Sequence, residues 1–134
     1  MSGLPSLHDT AAMTKPDIDQ KTFDQPDERR EFPFGYAEIV TIGDAEVGRL
    51  VFQPGWRWSD HVKPIAGTDS CEAPHFQYHV SGRLGIRMDA GTELEDGPGH
   101  VTHLGARHHP AAITHEPAVV IDWHGASTYA KDGG

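Results

Sequence analysis

Residues 75–104 read HFQYHVSGRLGIRMDAGTELEDGPGHVTHL, and this stretch decides the fold. Apolar and polar residues alternate over 75–80 and 83–88, and shorter strand-like runs follow at 92–95 and 100–104. The turn-forming segments between them are Ser81-Gly82, Asp89-Ala90-Gly91 and Gly97-Pro98-Gly99. Alternation with period two indicates a half-buried strand, and glycine and proline mark the turns. The stretch therefore predicts consecutive antiparallel strands joined by tight turns.

The same texture extends to both sides of this stretch. YAEIVTI (36–42) and AEVGRLVF (45–52) flank a Gly43-Asp44 turn, and PAVVIDW (117–123) is the last clear strand. No segment of ten or more residues has a helical period. Residues 21–31 are interpreted as a solvated loop, and the polar residues 1–20 as a weakly ordered arm. Short strands with frequent turns predict an antiparallel sandwich or small barrel.

Composition excludes several classes of protein. The 134 residues include 11 basic and 20 acidic side chains, for a formal net charge of −9, which argues against nucleic acid or an anionic membrane as partner. A single cysteine excludes an internal disulfide framework and a four-cysteine zinc site. There is no apolar run of about 20 residues and no signal-peptide pattern. The sequence therefore predicts a single-domain cytoplasmic protein.

The order strand, Ser-Gly turn, strand, Asp-x-Gly turn, strand, Gly-Pro-Gly turn resembles that of small single-domain cupins of the RmlC-like jelly-roll family. The resemblance covers roughly residues 36–126. It implies an all-β fold, an antiparallel double-sheet jelly-roll barrel, within a domain spanning residues 21–134 after the arm at 1–20. It also implies a homodimer, because small cupins commonly pair through edge strands, with the N-terminal arm as the element expected to cross over.

The first cupin motif reads Gly, five residues, His, one residue, His, three or four residues, Glu, six residues, Gly. Counting forward from Gly55 places His61 at the first histidine, with Lys63 at the second. Counting back from Gly82 places His75 at the glutamate. The resemblance therefore implies that His61 and His75 are the ligands from this motif.

The second motif reads Gly, five residues, Pro, one residue, Gly, two residues, His. From Gly99 the count reaches Gly105 at the proline and Arg107 at the second glycine. Close relatives of this subtype carry Pro-x-Gly-His here, and that histidine falls on His108. The resemblance thus implies His108 as the third ligand.

Histidines are unusually abundant, with ten in the chain. On a strand, residues two apart share a face at about 6.6 Å, so His75 and Gln77 can reach one ion, whereas His79 is expected deeper in the cavity or behind a ligand. The predicted metal set is His61, His75 and His108, with Gln77 as candidate fourth ligand. Imidazole and amide ligands suit Zn, Ni, Fe or Cu rather than Mg or Ca. The alternative is a set of cavity histidines hydrogen-bonded to one another and to Tyr78 or Asp60.

The other histidines are expected elsewhere. His103 could line the cavity beside His108, and His79, His103 or His109 could replace a proposed ligand. The predicted surface positions are His100, His109, His115 and His124.

Two aromatic residues and the cysteine complete the candidates. Trp56 and Trp58 would share one face of a strand, as core or interface packing rather than as the wall of a pocket. Cys71 is interpreted as a buried structural thiol rather than a nucleophile.

Two functions of different classes follow from these residues. The first is a metal-dependent enzyme acting on a small organic substrate, of dioxygenase or isomerase type. The second is a module that binds a metal or a small-molecule ligand without turnover, which the lack of an evident general acid or base favours. No catalytic residue can be assigned from the sequence, and the fold alone does not choose between the two.

Overall fold

The computed structural model describes residues 17–124 and 129–131. In this part of the chain two short helices interrupt a succession of strands. The elements are β1 (Glu28–Phe32), β2 (Gly35–Ile42), β3 (Ala45–Phe52), α1 (Trp58–His61), α2 (Lys63–Ala66), β4 (His75–Ser81), β5 (Leu84–Met88), β6 (Glu93–Asp96), β7 (Val101–Leu104), β8 (His108–Ala112) and β9 (Ala118–Asp122).

The strands form two antiparallel sheets that face each other. The larger sheet has the order β1-β2-β3-β9-β4-β7, and the smaller has the order β6-β5-β8. Inward side chains of both sheets build one apolar core, as the strict alternation of buried and exposed residues along β4 illustrates. The predicted all-β double-sheet jelly-roll barrel is therefore confirmed.

The turn between β4 and β5 carries the chain from one sheet to the other. Gly82 lies in this turn with φ of 67°, a left-handed conformation that side chains rarely adopt. A Cβ atom at Gly82 would lie 2.5 Å from Ala118 Cα and 2.5 Å from the Pro117 carbonyl oxygen. The Ser-Gly turn thus lets β4 end directly against the start of β9.

Each strand predicted from alternation is present, but two strands lie where none was expected. β1 occupies Glu28–Phe32 and overlaps the end of the segment interpreted as a solvated loop, so that interpretation is wrong for residues 28–31. Charged residues hide this strand in the sequence because it is an edge strand whose ion pairs replace apolar contacts, such as that from Arg29 to the buried Glu38 at 2.8 Å. β8 was not predicted either, because its sequence, HHPAA, contains histidines and a proline instead of alternating apolar and polar residues.

The segment after Gly55 is not a strand. Trp58 begins α1 and Lys63 begins α2, so the expected strand geometry for Trp56 and Trp58 is wrong. Both indole rings are nevertheless fully buried in the core, as predicted. Trp56 packs against Phe52 with ring centroids 4.1 Å apart.

Most of the predicted arm at 1–20 lies outside the described residues, and residues 17–20 are exposed and lack helix or strand. The boundary between this arm and the domain at 21–134 stays a prediction. None of the helices in the described ranges has the length and apolarity that crossing a bilayer requires.

Candidate metal centre

Cys71 and His108 lie directly opposite each other across a two-residue antiparallel bridge. The Cys71 N–H donates to the His108 carbonyl at 2.9 Å, and the His108 N–H donates back to the Cys71 carbonyl at 3.3 Å. This bridge extends the smaller sheet beyond β8 and turns both side chains into the barrel, where both are fully buried.

His75 reaches the same point from the larger sheet. It is the first residue of β4, and its inward side chain is buried. Its ring centroid lies 5.3 Å from that of His108, at an edge-on angle of 66°. Two of the three histidines that the glycine counts singled out, His75 and His108, are therefore brought together between the sheets.

Cys71, His75 and His108 form a cluster that could hold a metal ion. One ligand atom from each, namely a sulfur and two ring nitrogens, lies within 4.8 Å of the other two. A tetrahedral ion with bonds of about 2.0 to 2.3 Å holds its ligand atoms about 3.3 to 3.7 Å apart, so the three atoms would draw together by up to about 1 Å. Among the described residues this is the one group of three or more such side chains.

Both imidazoles are held by their Nδ1 atoms. Nδ1 of His75 hydrogen-bonds Oδ2 of Asp122, and Nδ1 of His108 donates to the Gly105 carbonyl at 2.8 Å. These bonds leave Nε2 of each ring as the nitrogen that a metal ion would bind, in place of any proton that it carries. Metal-bound histidines almost always have this arrangement, with the second nitrogen bonded to a carboxylate or a backbone carbonyl.

Nε2 of His108 is buried and has no hydrogen-bond partner within the described ranges. A buried polar atom without a partner is costly, and native proteins rarely leave one unexplained. The atom therefore fits a ligand in the barrel interior.

Two backbone N–H donors orient the carboxylate of Asp122. Its Oδ1 accepts from the Phe76 N–H at 3.2 Å and from the His124 N–H at 2.9 Å, which leaves Oδ2 for His75. Asp122 is the last residue of β9 and is fully buried, so this carboxylate serves His75 from the neighbouring strand.

The electrostatics of the cluster favour a thiolate. Burial alone would raise the pKa of the Cys71 thiol, but the neighbouring imidazoles of His108 and His75 lower it to about 6. Burial likewise opposes the charged form of His75, whereas Asp122 and Cys71 raise its pKa to about 9. The thiolate is the form of cysteine that binds metals.

A small cavity adjoins the cluster inside the barrel, with a volume of about 20 Å³. It has room for about one water molecule. Its lining is apolar apart from a few polar groups; the residues are Leu50, Phe52, His75, Gln77, Leu84, Ile86, Leu104, His108, Pro110 and Tyr129.

A larger groove of about 460 Å³ lies outside the barrel. It runs over the outer face of the smaller sheet and mixes Arg57 and Arg87 with Glu93 and Glu95. The groove is open to solvent and brings side chains of opposite charge together.

Two of the four predicted ligands lie outside the cluster. Gln77 lines the cavity, but its Nε2 lies 3.2 Å from Nε2 of His79. His61 ends α1, where Nδ1 accepts from the Arg57 N–H at 3.0 Å and the ring stacks on Phe34 at 4.5 Å. The expected position of His61 on a strand beside His75 is wrong because residues 58–66 fold into two helical turns.

Cys71 is the functional candidate that the sequence interpretation missed. The forward count from Gly55 runs through the helical segment and is displaced by it. Counting back from His75 over the three intervening residues of the motif places Cys71 at its second histidine. The backward count from Gly82 was the signal that could have found it.

His79 lies on the inward face of β4, as expected, and forms a second buried pair. Its Nε2 lies 3.2 Å from Oδ2 of Asp96, and Thr102 donates to Oδ1 of Asp96 at 2.6 Å. Burial would raise the pKa of Asp96, but these two hydrogen bonds lower it. The pair supports the side of the barrel behind Gln77.

The remaining histidines lie away from the cluster. His103 is exposed on β7, so its proposed place in the cavity is wrong. His109 pairs with Asp89 at 2.7 Å outside the barrel. The predicted surface positions of His100, His115 and His124 are confirmed, since all three are exposed.

Comparison with known proteins identifies the class to which the fold belongs. No protein-family model matches the chain, and no curated protein matches it. In contrast, 92 chains of solved structures do.

Three of these structures illustrate the likeness. A sugar phosphate isomerase of the cupin superfamily from Silicibacter pomeroyi superposes with a TM-score of 0.55 at 16% identity, covering 78% of this chain and 73% of that one. An RmlC-like cupin from Shewanella frigidimarina gives 0.54 at 11%, covering 84% and 95%. Oxalate decarboxylase from Lactobacillus farciminis, in a formate complex, gives 0.53 at 16%, covering 76% and 32%.

The protein therefore has the cupin fold. The chain spans about a third of the length of the oxalate decarboxylase, which is 32% covered. At these identities the likeness concerns the fold, and the chemistry rests on the residues of this chain.

Proposed function

We propose that this protein is a metal-binding cupin module that holds one divalent transition metal ion through Cys71, His75 and His108. The observation that carries the proposal is the convergence of three buried ligand atoms within 4.8 Å from opposite sheets. The hydrogen bonds at Nδ1 of both histidines support it, since they leave Nε2 of each ring available.

The donor set narrows the choice of metal. Zinc is better suited to one thiolate and two imidazoles than to the three imidazoles and one amide expected from the sequence. The reason is that a thiolate favours soft or borderline ions. Of Zn, Ni, Fe and Cu, zinc(II) is the ion that we propose. When bound, it would supply Lewis acidity at a fourth position that these three residues leave open.

The size of the cavity separates the two functions considered from the sequence. A volume of about 20 Å³ admits a water molecule or a small anion. Pockets for organic ligands usually occupy about 300 to 1,000 Å³. The geometry therefore supports a module that binds a metal and a very small ligand, rather than a dioxygenase or isomerase acting inside the barrel.

Metal analysis of the purified full-length chain tests the proposal. We expect about one zinc per chain after loading and desalting, and a loss of most of it in Cys71→Ser and in His108→Ala. His103→Ala is the matched control, because His103 is exposed and should retain full occupancy. Equal occupancy in all four proteins, or none in the wild type, would contradict the proposal.

We also propose a homodimer, formed through the outer face of β9, β4 and β7. Phe76 and Trp123 lie side by side on this face with ring centroids 6.0 Å apart, and Tyr78 is paired between Val101 and Ile121. Phe76 and Trp123 are each 47% exposed, and Val101 is 63% exposed. An apolar patch of this kind marks an interaction surface.

A second copy is the occupant that the charge favours. The chain carries a net charge of −9, yet the outward positions of these three strands hold no Asp, Glu, Lys or Arg from Phe76 to Val80, Val101 to His103 or Val119 to Trp123. Two such neutral faces can meet without bringing like charges together. β7 is also an edge strand, so pairing would cover its free side.

Light scattering on the full chain tests this interface. We expect a dimer for the wild type and for Leu94→Glu, whose exposed side chain lies on the smaller sheet, and a monomer for Phe76→Glu. A monomeric wild type at micromolar concentration, or an unchanged dimer in Phe76→Glu, would overturn the proposed interface. The cytoplasmic location expected from the sequence stays a prediction.

A further inference from the structure

The hydroxyl group of Tyr129 is a buried polar group that the fold does not explain. Tyr129 is 2% exposed, and its Oη has no hydrogen-bond partner among residues 17–124 and 129–131. Its backbone is held in place, because the Arg30 guanidinium of β1 donates to the Tyr129 carbonyl. The position of the ring is therefore fixed by both the backbone and the core.

Ring contacts explain why Tyr129 is buried but not why it is a tyrosine. The ring packs edge-on against Phe32 at 5.8 Å and Phe52 at 6.2 Å, and it lies 5.6 Å from the ring of His75. A phenylalanine would make the same contacts without burying a hydroxyl. A buried hydroxyl without a partner costs free energy, so its presence indicates a partner that occupies the cavity.

The cavity offers one place for that partner. Tyr129 and His108 both line it, and Nε2 of His108 is the other buried polar atom of the lining without a hydrogen-bond partner in the described part of the chain. The space, about 20 Å³, suits a species of about the size of a water molecule. A hydrogen-bond donor and a metal ligand thus border the same small space.

We propose that Tyr129 donates a hydrogen bond to a small inorganic anion, such as hydroxide or fluoride, held at the fourth position of the metal. This inference rests on the proposed metal site and makes Tyr129 its specificity-determining residue. The hydroxyl stabilises a bound ligand that accepts a hydrogen bond, and the apolar side chains that line the cavity exclude larger ligands.

Anion binding to the cobalt(II)-loaded full-length protein tests the inference, because the visible absorption of cobalt reports its coordination. Fluoride is titrated into the wild type, Tyr129→Phe and the control Tyr78→Phe, whose ring lies on the outer face of β4. We expect unchanged cobalt content in all three. The Kd for fluoride should rise about 10- to 100-fold in Tyr129→Phe alone, which corresponds to the loss of one hydrogen bond to a charged group.

Thermal unfolding gives a second readout that does not depend on added fluoride. In the metal-free protein, Tyr129→Phe should leave Tm unchanged or raise it, because it removes an unpartnered hydroxyl. In the metal-loaded protein the same substitution should lower Tm, because it removes a hydrogen bond that the bound water or hydroxide accepts.

The outcomes separate this inference from the proposed metal site. An unchanged fluoride Kd in a cobalt-loaded Tyr129→Phe overturns the role of Tyr129 and leaves the metal site standing. Loss of cobalt from Tyr129→Phe also overturns it, because the hydroxyl would then be a metal ligand itself. A wild type that binds no metal refutes the proposed function, and the inference with it.

Discussion

At the scale of single residues, the backbone before His108 is held in an unusual conformation. Arg107 has φ of 71°, and its N–H donates to the Cys71 carbonyl at 2.7 Å. The second cupin motif has glycine at this position, a residue that adopts a left-handed conformation without steric penalty. Arg107 therefore keeps the geometry of the motif at a cost in strain.

Replacing Arg107 by glycine should stabilise the protein. Relief of the left-handed strain outweighs the added freedom of the unfolded chain, so we expect the free energy of unfolding to rise by up to about 1 kcal/mol. Urea denaturation measures the difference. Ala106→Gly is the control, since Ala106 has no positive φ and should lose stability; a loss in both variants would contradict the strain argument.

Asp122 should tune the affinity for metal without touching the ion. Asp122→Asn keeps an acceptor for the backbone donors but removes the negative charge beside His75. Loss of such a partner typically weakens metal binding about 10- to 100-fold. Competition with a zinc-binding dye measures the change. Asp89→Asn, which alters the pair with the external His109, should bind zinc as the wild type does.

At the scale of elements, the turn from β4 to β5 depends on close contact as well as on backbone freedom. Gly82→Ala places a Cβ 2.5 Å from Ala118 Cα, whereas Gly43 has a similar φ of 57° and nothing within 4 Å of its position. We expect Gly82→Ala to cost about 1 to 3 kcal/mol more than Gly43→Ala, the usual range for overpacking. Equal losses in thermal or urea unfolding would show that the close approach is unimportant.

The start of β1 should respond to acid. Asp27 accepts from the Thr41 N–H at 2.7 Å and pairs with Lys21 at 3.1 Å, and the Thr41 hydrogen bond and then Lys21 lower its pKa below 3.8. A carboxylate whose pKa is lowered on folding stabilises the protein above its unfolded pKa, and this stabilisation is lost as pH falls through the folded pKa.

Asp27→Asn should therefore be less stable than the wild type at pH 7, and the difference should shrink as the pH falls below 3.8. Urea unfolding at several pH values measures it, with Asp69→Asn as a fully exposed control. A difference that does not change with pH would contradict the role of the Asp27 charge.

The elements also show what the sequence could predict. Strands with alternating apolar residues, such as β3 and β4, were predicted within about a residue because burial on one face leaves a period of two. β1 and β8 were missed because ion pairs, histidines and proline replace that pattern. The glycine anchors located His75 and His108, since fixed turns fix the register.

His61 and Cys71 show where motif spacing fails to identify the residues of the cluster. Residues 58–66 form helices, so the chain between Gly55 and the cluster is longer than a spacing rule for strands assumes. The count from Gly55 therefore gives His61, which is the wrong residue. Cys71 is placed by a backbone bridge to a strand 37 residues away in sequence, and no local pattern encodes that pairing. A count from the nearer anchor, Gly82, would have been more reliable.

At the scale of the whole molecule, the two sheets meet at the cluster of potential metal ligands. The larger sheet supplies His75 and its partner Asp122, and the smaller sheet with its bridge supplies His108 and Cys71. Binding of an ion there should hold the sheets together, because a ligand that binds only the folded state stabilises it. The central claim is therefore that one ion joins both sheets through one sulfur and two nitrogens.

X-ray absorption at the zinc edge of the loaded full-length protein tests this claim most directly. The account predicts one sulfur at about 2.3 Å and two or three nitrogen or oxygen ligands at about 2.0 to 2.1 Å. The sulfur shell should persist in His103→Ala, whereas Cys71→Ser should retain too little zinc to give the wild-type spectrum. A wild-type spectrum with only nitrogen and oxygen ligands would contradict the account.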